Sequence, residues 1–161
     1  MTTQAKILIV DDEEVVRLSY MRILAGSNCE IKQAWTWLQV AQAMQHEPFD
    51  VVLLDLRMPE MDGLKVLRAL KQSWPESEVI IITGYPTLES AKEAVSLGAY
   101  DYLTKPVGPD QVIGAANAAM LHKRWALHNA TDTRCEPRQQ QSSPAVPGRA
   151  SDKPDFLRKL S

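Results

Sequence analysis

The apolar run ILIV at residues 7–10 leads directly into the acidic residues Asp11, Asp12 and Glu13. A second run, VVLL at residues 51–54, leads in the same way into Asp55. Uninterrupted apolar runs of this length are typical of strands buried on both faces of a parallel sheet. Because parallel sheets present ligands at the carboxyl ends of their strands, neighbouring strands would bring the three aspartates together. Crowded carboxylates repel one another and need a hard cation, and Mg²⁺ is the usual one where phosphate is handled.

Apolar strands alternate with helical patterns over the first 127 residues. The pattern predicts strands near 6–10, 30–34, 49–54, 79–82 and 101–104, and helices near 14–25, 36–47, 64–74, 87–98 and 109–127. Thr36 and Thr87 are the expected N-caps of the second and fourth helices, and Gly98 the residue that ends the fourth. Such alternation implies an α/β fold, a doubly wound five-stranded parallel sheet flanked by five helices.

Composition limits the class of protein. A length of 161 residues suits one domain, and a net charge of −2 gives no reason to expect direct nucleic-acid binding or attraction to a membrane. Two cysteines form no disulfide framework, and the sequence contains no signal-peptide pattern and no apolar run near the 20 or so residues that span a bilayer. We therefore expect a cytoplasmic protein. Residues 128–161 are rich in Gln, Ser, Pro and Arg, which predicts a folded domain at 1–127 followed by a disordered tail or linker.

The predicted strand ends carry a set of side chains suited to phosphate chemistry. Asp55 is the candidate nucleophile, because a carboxylate can accept a phosphoryl group as an aspartyl phosphate. Asp12 and Asp55 would hold Mg²⁺, with Asp11 contributing directly or through water, and the cation would offset charge on the transferring oxygens. Thr83 would donate a hydrogen bond to one phosphoryl oxygen, and Lys105 would pair with another.

With these residues in hand, residues 5–125 resemble the receiver domain of bacterial response regulators. Four motifs carry the resemblance, and together, in order and at matching strand ends, they are highly specific. They are VDDE at 10–13, LDLRMP at 54–59 with MDG at 61–63, ITG at 82–84, and GAYDYLTKP at 98–106. The resemblance implies a flavodoxin-like or CheY-like fold with strand order 2-1-3-4-5.

The resemblance also implies a function. Asp55 would be the phosphoacceptor in a two-component phosphorelay, phosphorylated in a Mg²⁺-dependent reaction by a sensor histidine kinase or a phosphotransfer protein. The backbone carbonyl of Arg57 would be a further metal ligand, and the bond between Lys105 and Pro106 would be cis. The chain would be a signalling domain rather than an enzyme, its only chemistry being its own phosphorylation and dephosphorylation.

A switch between two states is the last implication of the resemblance. Thr83 would move toward the phosphoryl group, and Tyr102 would fill the space that Thr83 leaves. The surface formed by the fourth helix, the fifth strand and the fifth helix would then change shape and control a downstream protein.

Two alternatives remain open at the level of sequence. In the first, the chain is the N-terminal fragment of a larger regulator, with an output domain beyond the tail. The other alternative is a Mg²⁺-dependent phosphohydrolase that forms an aspartyl phosphate, although Arg57 occupies the position where that group of enzymes needs a second acid. Residues 107–116 lack the Phe and the regular arginines of receivers that dimerise through a charged lattice, whereas a homodimer of another kind stays open.

Overall fold

The structure, a computed structural model, describes residues 4–132 of the chain. Its elements in chain order are β1 (Ala5–Val10), α1 (Glu14–Leu24), β2 (Cys29–Ala34), α2 (Trp37–His46), β3 (Val51–Leu54), β4 (Arg57–Met58), β5 (Met61–Asp62), α3 (Gly63–Ser73), β6 (Glu78–Thr83), α4 (Leu88–Ser96), β7 (Asp101–Thr104) and α5 (Pro109–Asp132). Within this part of the chain, no helix is both long enough and apolar enough to cross a membrane.

Five of these strands form a parallel sheet in the order β2-β1-β3-β6-β7. Since β6 and β7 are the fourth and fifth strands of that sheet along the chain, the expected order 2-1-3-4-5 is confirmed. Val10 of β1 pairs with Leu54 of β3, and Thr83 of β6 pairs with Thr104 of β7. The residues that follow these pairs therefore lie together at the carboxyl edge of the sheet.

Each face of the sheet is covered by helices, which explains the uninterrupted apolar strands. Side chains alternate between the two faces along each strand, so both sets are removed from water. One set packs against α2, α3 and α4, with Leu8, Val52, Leu54 and Ile81 among its members. The other packs against α1 and α5, and includes Ile7, Ile9, Val51, Leu53 and Ile80.

The capping residues predicted from the sequence mark the starts of α2 and α4 and the end of α4. Thr36 and Thr87 each form a capping box at the start of α2 and α4, in which the side chain accepts from the amide three residues later. Gly98 has a φ of 94° just after α4, and its amide donates to the carbonyl of Val95. Only glycine takes this left-handed backbone without strain, so Gly98 ends the helix as expected.

Two features differ from the sequence-based expectations. The loop after β3 contains a small antiparallel hairpin, β4 with β5, which the apolar pattern did not reveal because each strand has only two residues. In addition, α5 continues to Asp132, so residues 128–132 are helical rather than part of a tail. Ala130, a strong helix former, follows the predicted end at Leu127, and no proline occurs between that end and Asp132. The remainder of the predicted tail, 133–161, lies outside the described residues.

Candidate functional site

Three aspartates meet at the carboxyl edge of the sheet, as the sequence predicted. Asp11 follows β1 and Asp55 follows β3, and each has 5% or less of its surface exposed, whereas Asp12 is exposed. One carboxylate oxygen from each of the three lies within 4.8 Å of the others. The strand pairing enforces this, because the amide of Asp55 donates to the carbonyl of Val10 at 3.0 Å.

Lys105 brings a positive charge to the same cluster. It follows β7, and its amide donates to the carbonyl of Thr83 at 2.8 Å. Its Nζ donates to Oδ2 of Asp11 at 2.8 Å and lies 3.4 Å from Oδ2 of Asp55. The bond between Lys105 and Pro106 is cis, as the resemblance implied. Lys105 thus partly neutralises two buried carboxylates.

Burial and charge act in opposite directions on the pKa values of this ion pair. Burial raises the pKa of Asp55 above its ordinary value, the Lys105 charge opposes the rise, and neighbouring Asp11 adds to it. For Lys105, burial alone would lower the pKa, but the hydrogen bond to Asp11 and the two carboxylate charges raise it. The lysine therefore stays charged and the carboxylates keep a compensating cation.

An open cleft of about 800 Å³ lies beside the acidic cluster and is lined by Asp12, Arg57, Tyr85 and Thr87 among others. The Arg57 guanidinium lies 4.6 Å from the centre of the Tyr85 ring, a cation–π contact across the cleft wall. The Arg57 amide donates to Oδ1 of Asp55 at 3.3 Å. The metal-binding role expected of the Arg57 carbonyl stays a prediction.

Thr83 and Tyr102, the two residues of the predicted switch, lie on neighbouring strands. Thr83 is fully buried, and its Oγ1 accepts a hydrogen bond from the Tyr85 amide at 3.1 Å. Tyr102 is 4% exposed, and its hydroxyl is 2.7 Å from Oγ of Ser90 in the capping box of α4. The Tyr102 ring is therefore directed inward in this structure, and its hydroxyl connects β7 to the start of α4.

Gly63 allows α3 to begin against the backbone that follows Asp55. A Cβ at this position would come within 2.4 Å of the Leu56 Cα and 2.6 Å of the Asp55 carbonyl oxygen. The Gly63 amide donates to the Leu56 carbonyl at 3.0 Å, while Asp62 caps α3 by accepting from Leu64. This close approach depends on a tertiary contact between the start of α3 and the backbone after Asp55, so residue spacing along the chain does not reveal it.

Arg17 is a site-proximal residue that the sequence analysis missed. It is 6% exposed, and its Nη1 donates to the carbonyl of Asp11 at 2.8 Å. A signal was available, because Arg17 stands three residues before Tyr20 and seven before Leu24, on the inward stripe of α1. The candidate residues named from the sequence did not include Arg17, because its contact with the Asp11 carbonyl depends on the tertiary fold.

The donor set at this edge of the sheet fits a small hard cation. Three carboxylates supply only oxygen atoms within one ion's reach, and one of them is exposed, which leaves a route from solvent. Mg²⁺ prefers oxygen ligands, keeps several waters and is bound in proteins by one or two carboxylates. Asp11, Asp12 and Asp55 are therefore suited to hold a magnesium ion.

The fold and the site place the chain in the class of CheY-like signalling domains. A family model described as response regulator receiver domain matches residues 7–117. The chain belongs to this family, the receiver domain of two-component response regulators.

The curated proteins that are similar to this chain include two longer transcriptional regulators. The transcriptional regulatory protein ZraR of Klebsiella oxytoca is 35% identical over 130 residues, which are 81% of this chain and 29% of that protein. The DNA-binding transcriptional regulator NtrC of Escherichia coli (strain K12) is 37% identical over 114 residues, 71% of this chain and 24% of that protein. The chain thus spans less than a third of the length of these curated relatives.

Solved structures are similar as well. NtrX of Brucella abortus, in complex with ADP, has a TM-score of 0.75 and 29% identity, over 85% of this chain and 31% of that one. A CheY-like receiver domain protein of Methanospirillum hungatei JF-1 has a TM-score of 0.74 and 27% identity, over 77% of this chain and 99% of that one.

Proposed function

We propose that Asp55 is the phosphoacceptor of this receiver domain and that its phosphorylation depends on Mg²⁺. The observation that carries the proposal is the convergence of three carboxylates and the Lys105 ammonium at one edge of the sheet. In the transfer, a carboxylate oxygen of Asp55 bonds to phosphorus while the bond from phosphorus to the donor breaks. The bonding electrons leave with the donor, which is a kinase or phosphotransfer histidine, or acetate when acetyl phosphate is used.

Each residue of the site has a distinct part in this proposal. Asp11, Asp12, Asp55 and the Arg57 carbonyl would hold Mg²⁺, which when bound offsets negative charge on the phosphoryl oxygens. Lys105 is held between Asp11 and Asp55, so it needs only a small movement to pair with an oxygen of a phosphoryl group on Asp55. Pairing with a cation at this depth is stronger than at the surface, because less solvent screens it.

The proposed switch begins at Thr83. Its hydroxyl accepts from the Tyr85 amide and would have to leave that contact to reach a phosphoryl oxygen on Asp55. Tyr102, already inward, would then repack beside the space that Thr83 vacates, and its contact with Ser90 would carry the change to the start of α4. The surface formed by α4, β7 and α5 is thus the proposed contact for a downstream protein.

The wider setting is also a proposal. Because the relatives are longer regulators, we infer a phosphodonor partner, either a sensor histidine kinase or a phosphotransfer protein, and control of an output domain in the same or another chain. We expect no direct nucleic-acid binding by these residues and no enzymatic turnover beyond loss of the phosphoryl group. A cytoplasmic location stays a prediction, and homodimer formation stays open.

Intact mass spectrometry after incubation with acetyl phosphate tests the proposal. We expect the wild type to gain one phosphoryl group when Mg²⁺ is present and none when it is chelated. Asp55→Asn should gain none under either condition, because the amide is not a nucleophile for this transfer. Asp110→Asn, at an exposed position in the first turn of α5, is the matched control and should behave as the wild type. Labelling of Asp55→Asn to the wild-type extent would refute the assignment.

A further inference from the structure

Arg17 is a buried cation whose contacts are with neutral groups. A buried charged residue is costly unless its hydrogen-bonding groups are satisfied, and most buried guanidinium groups also pair with a carboxylate. Among the ion pairs in residues 4–132, none involves Arg17. Neutralisation of a neighbouring acid by direct contact therefore does not explain why this cation is buried.

The guanidinium is instead held from three directions. Its Nη1 donates to the Asp11 carbonyl at 2.8 Å, and its Nε donates to Oε1 of Gln33 on β2 at 3.0 Å. Its Cζ lies 4.5 Å from the centre of the Trp35 ring, just beyond β2. A planar fork that donates in two directions while one face stacks on an aromatic ring is a geometry that arginine provides and lysine does not.

These contacts hold the loop at residues 11–13, between β1 and α1, which carries two of the three carboxylates. The Asp11 carbonyl marks the end of β1, and Oδ1 of Asp11 accepts from the Glu13 amide at 2.9 Å. Asp11 is therefore held on its backbone by Arg17 and on its side chain by the following turn. Trp35 and Asp12 line the same slot of about 280 Å³, so the stacked ring also borders the exposed carboxylate.

We propose that Arg17 is a positioning residue for the metal site, which fixes the acidic loop through the Asp11 carbonyl so that Asp11 and Asp12 present their carboxylates to Mg²⁺. The inference rests on the proposed function of this site, and it concerns affinity for the ion rather than the identity of the phosphoacceptor. Groups that orient metal ligands without touching the metal commonly change metal affinity by about 10- to 100-fold when they are replaced.

The direction in which Mg²⁺ affinity changes when Arg17 is replaced distinguishes a positioning role from a purely electrostatic one. A positive charge close to the site repels Mg²⁺, so removing the charge would by itself tighten binding. Loss of a positioning contact would weaken binding instead. Two variants distinguish these possibilities. Arg17→Met removes both the charge and the hydrogen bonds, whereas Arg17→Lys keeps the charge and loses the planar guanidinium.

The experiment is a calorimetric Mg²⁺ titration, with thermal unfolding recorded without Mg²⁺ as a second readout. We expect both Arg17 variants to bind Mg²⁺ about tenfold more weakly than the wild type. Arg22→Met is the matched control, because Arg22 lies in the last turn of the same helix and is exposed, and it should bind as the wild type does. Gln33→Leu, which removes one partner of the guanidinium, should weaken binding in the same direction by a smaller factor and serves if Arg17→Met does not fold.

Three results would overturn the inference. Unchanged affinity in Arg17→Lys, tighter binding in Arg17→Met, or an equal loss in Arg22→Met would each remove the case for positioning. The proposed function is judged separately by the wild type. If the wild type takes up a phosphoryl group with Mg²⁺ and the folded Arg17 variants bind Mg²⁺ equally well, only this inference fails. If the wild type binds no Mg²⁺, the proposed function and the inference fail together.

Discussion

Replacement of Gly63 by alanine tests how closely α3 is packed against the phosphoacceptor loop. The new Cβ would lie 2.4 Å from the Leu56 Cα, 2.6 Å from the Asp55 carbonyl oxygen and 2.9 Å from the Leu56 carbonyl oxygen. Ordinary contact begins near 3.4 Å, so α3 and the loop must separate by roughly 1 Å. All three neighbours are backbone atoms and cannot rotate away as a side chain would.

The expected change in the free energy of unfolding is the difference between two opposing contributions, overpacking and helix propensity. Overpacking in a well-packed region costs about 1–3 kcal/mol, and contact with fixed backbone places this case near the upper value. Against it, alanine in a helix interior is favoured over glycine by up to about 1 kcal/mol, and by less at the first residue of α3. We therefore expect Gly63→Ala to lower the free energy of unfolding by about 2 kcal/mol, or to lower the melting temperature by about 6–8 °C.

Urea unfolding at fixed pH, followed by circular dichroism, measures this change, and Gly114→Ala is the matched control. Gly114 is exposed within α5, and a Cβ there would meet nothing within 4 Å. At Gly114 only the greater helix propensity of alanine applies, so Gly114→Ala should raise the free energy of unfolding by up to about 1 kcal/mol. If Gly63→Ala proved as stable as the wild type, or if both variants shifted in the same direction, the argument from close packing would be wrong.

Two further predictions concern pH and the lifetime of the phosphoryl group. Hydrogen bonds from two lysines lower the pKa of Glu47 from 4.5 to about 2, so its contribution to stability is present above the unfolded pKa near 4.5 and is lost as the pH falls toward 2. Melting temperatures of the wild type and Glu47→Gln should therefore differ at pH 6 and converge near pH 2. Tyr85→Ala removes the ring that contacts Arg57 at the cleft wall, where the two side chains would restrict the approach of water to a phosphoryl group on Asp55. If the whole contact, about 0.5–1 kcal/mol at an exposed site, is lost from the barrier to hydrolysis, the aspartyl-phosphate lifetime should shorten about two- to fivefold, measured by phosphate release.

Each of these predictions has a clear contrary result. A constant difference between Glu47→Gln and the wild type down to pH 2 would show that the lysine contacts do not set the acid dependence. An unchanged rate of phosphate release in Tyr85→Ala would show that the aromatic ring does not restrict access of water to the phosphoryl group.

Strand positions were predictable from sequence because a strand buried on both faces needs an apolar side chain at every position. Residues 7–10 of β1, 51–54 of β3 and 79–82 of β6 satisfy this requirement, and the ends of the first two runs fix where Asp11 and Asp55 lie along the chain. The starts of α2 and α4 were predictable for a local reason as well, since a threonine cap bonds to an amide only three residues away.

Other features depend on contacts between segments that are distant in sequence. The burial of Arg17 requires the end of β1, the side chain of Gln33 and the ring of Trp35 to meet around one guanidinium. The need for glycine at position 63 arises from the Leu56 backbone across a tight loop. The two-residue strands β4 and β5 are too short to show a period in the sequence.

Sequence by itself determined the α/β class, the strand ends and the set of carboxylates and Lys105 that chemistry would use. These follow from local composition and from the two-residue and 3.6-residue periods, which require no knowledge of neighbouring segments. Only the tertiary structure decided which oxygen of Asp11 pairs with Lys105, where the Thr83 and Tyr102 hydroxyls bond, and what holds the acidic loop. Those details depend on distances of a few tenths of an ångström between separate elements, which packing sets and residue spacing along the chain does not.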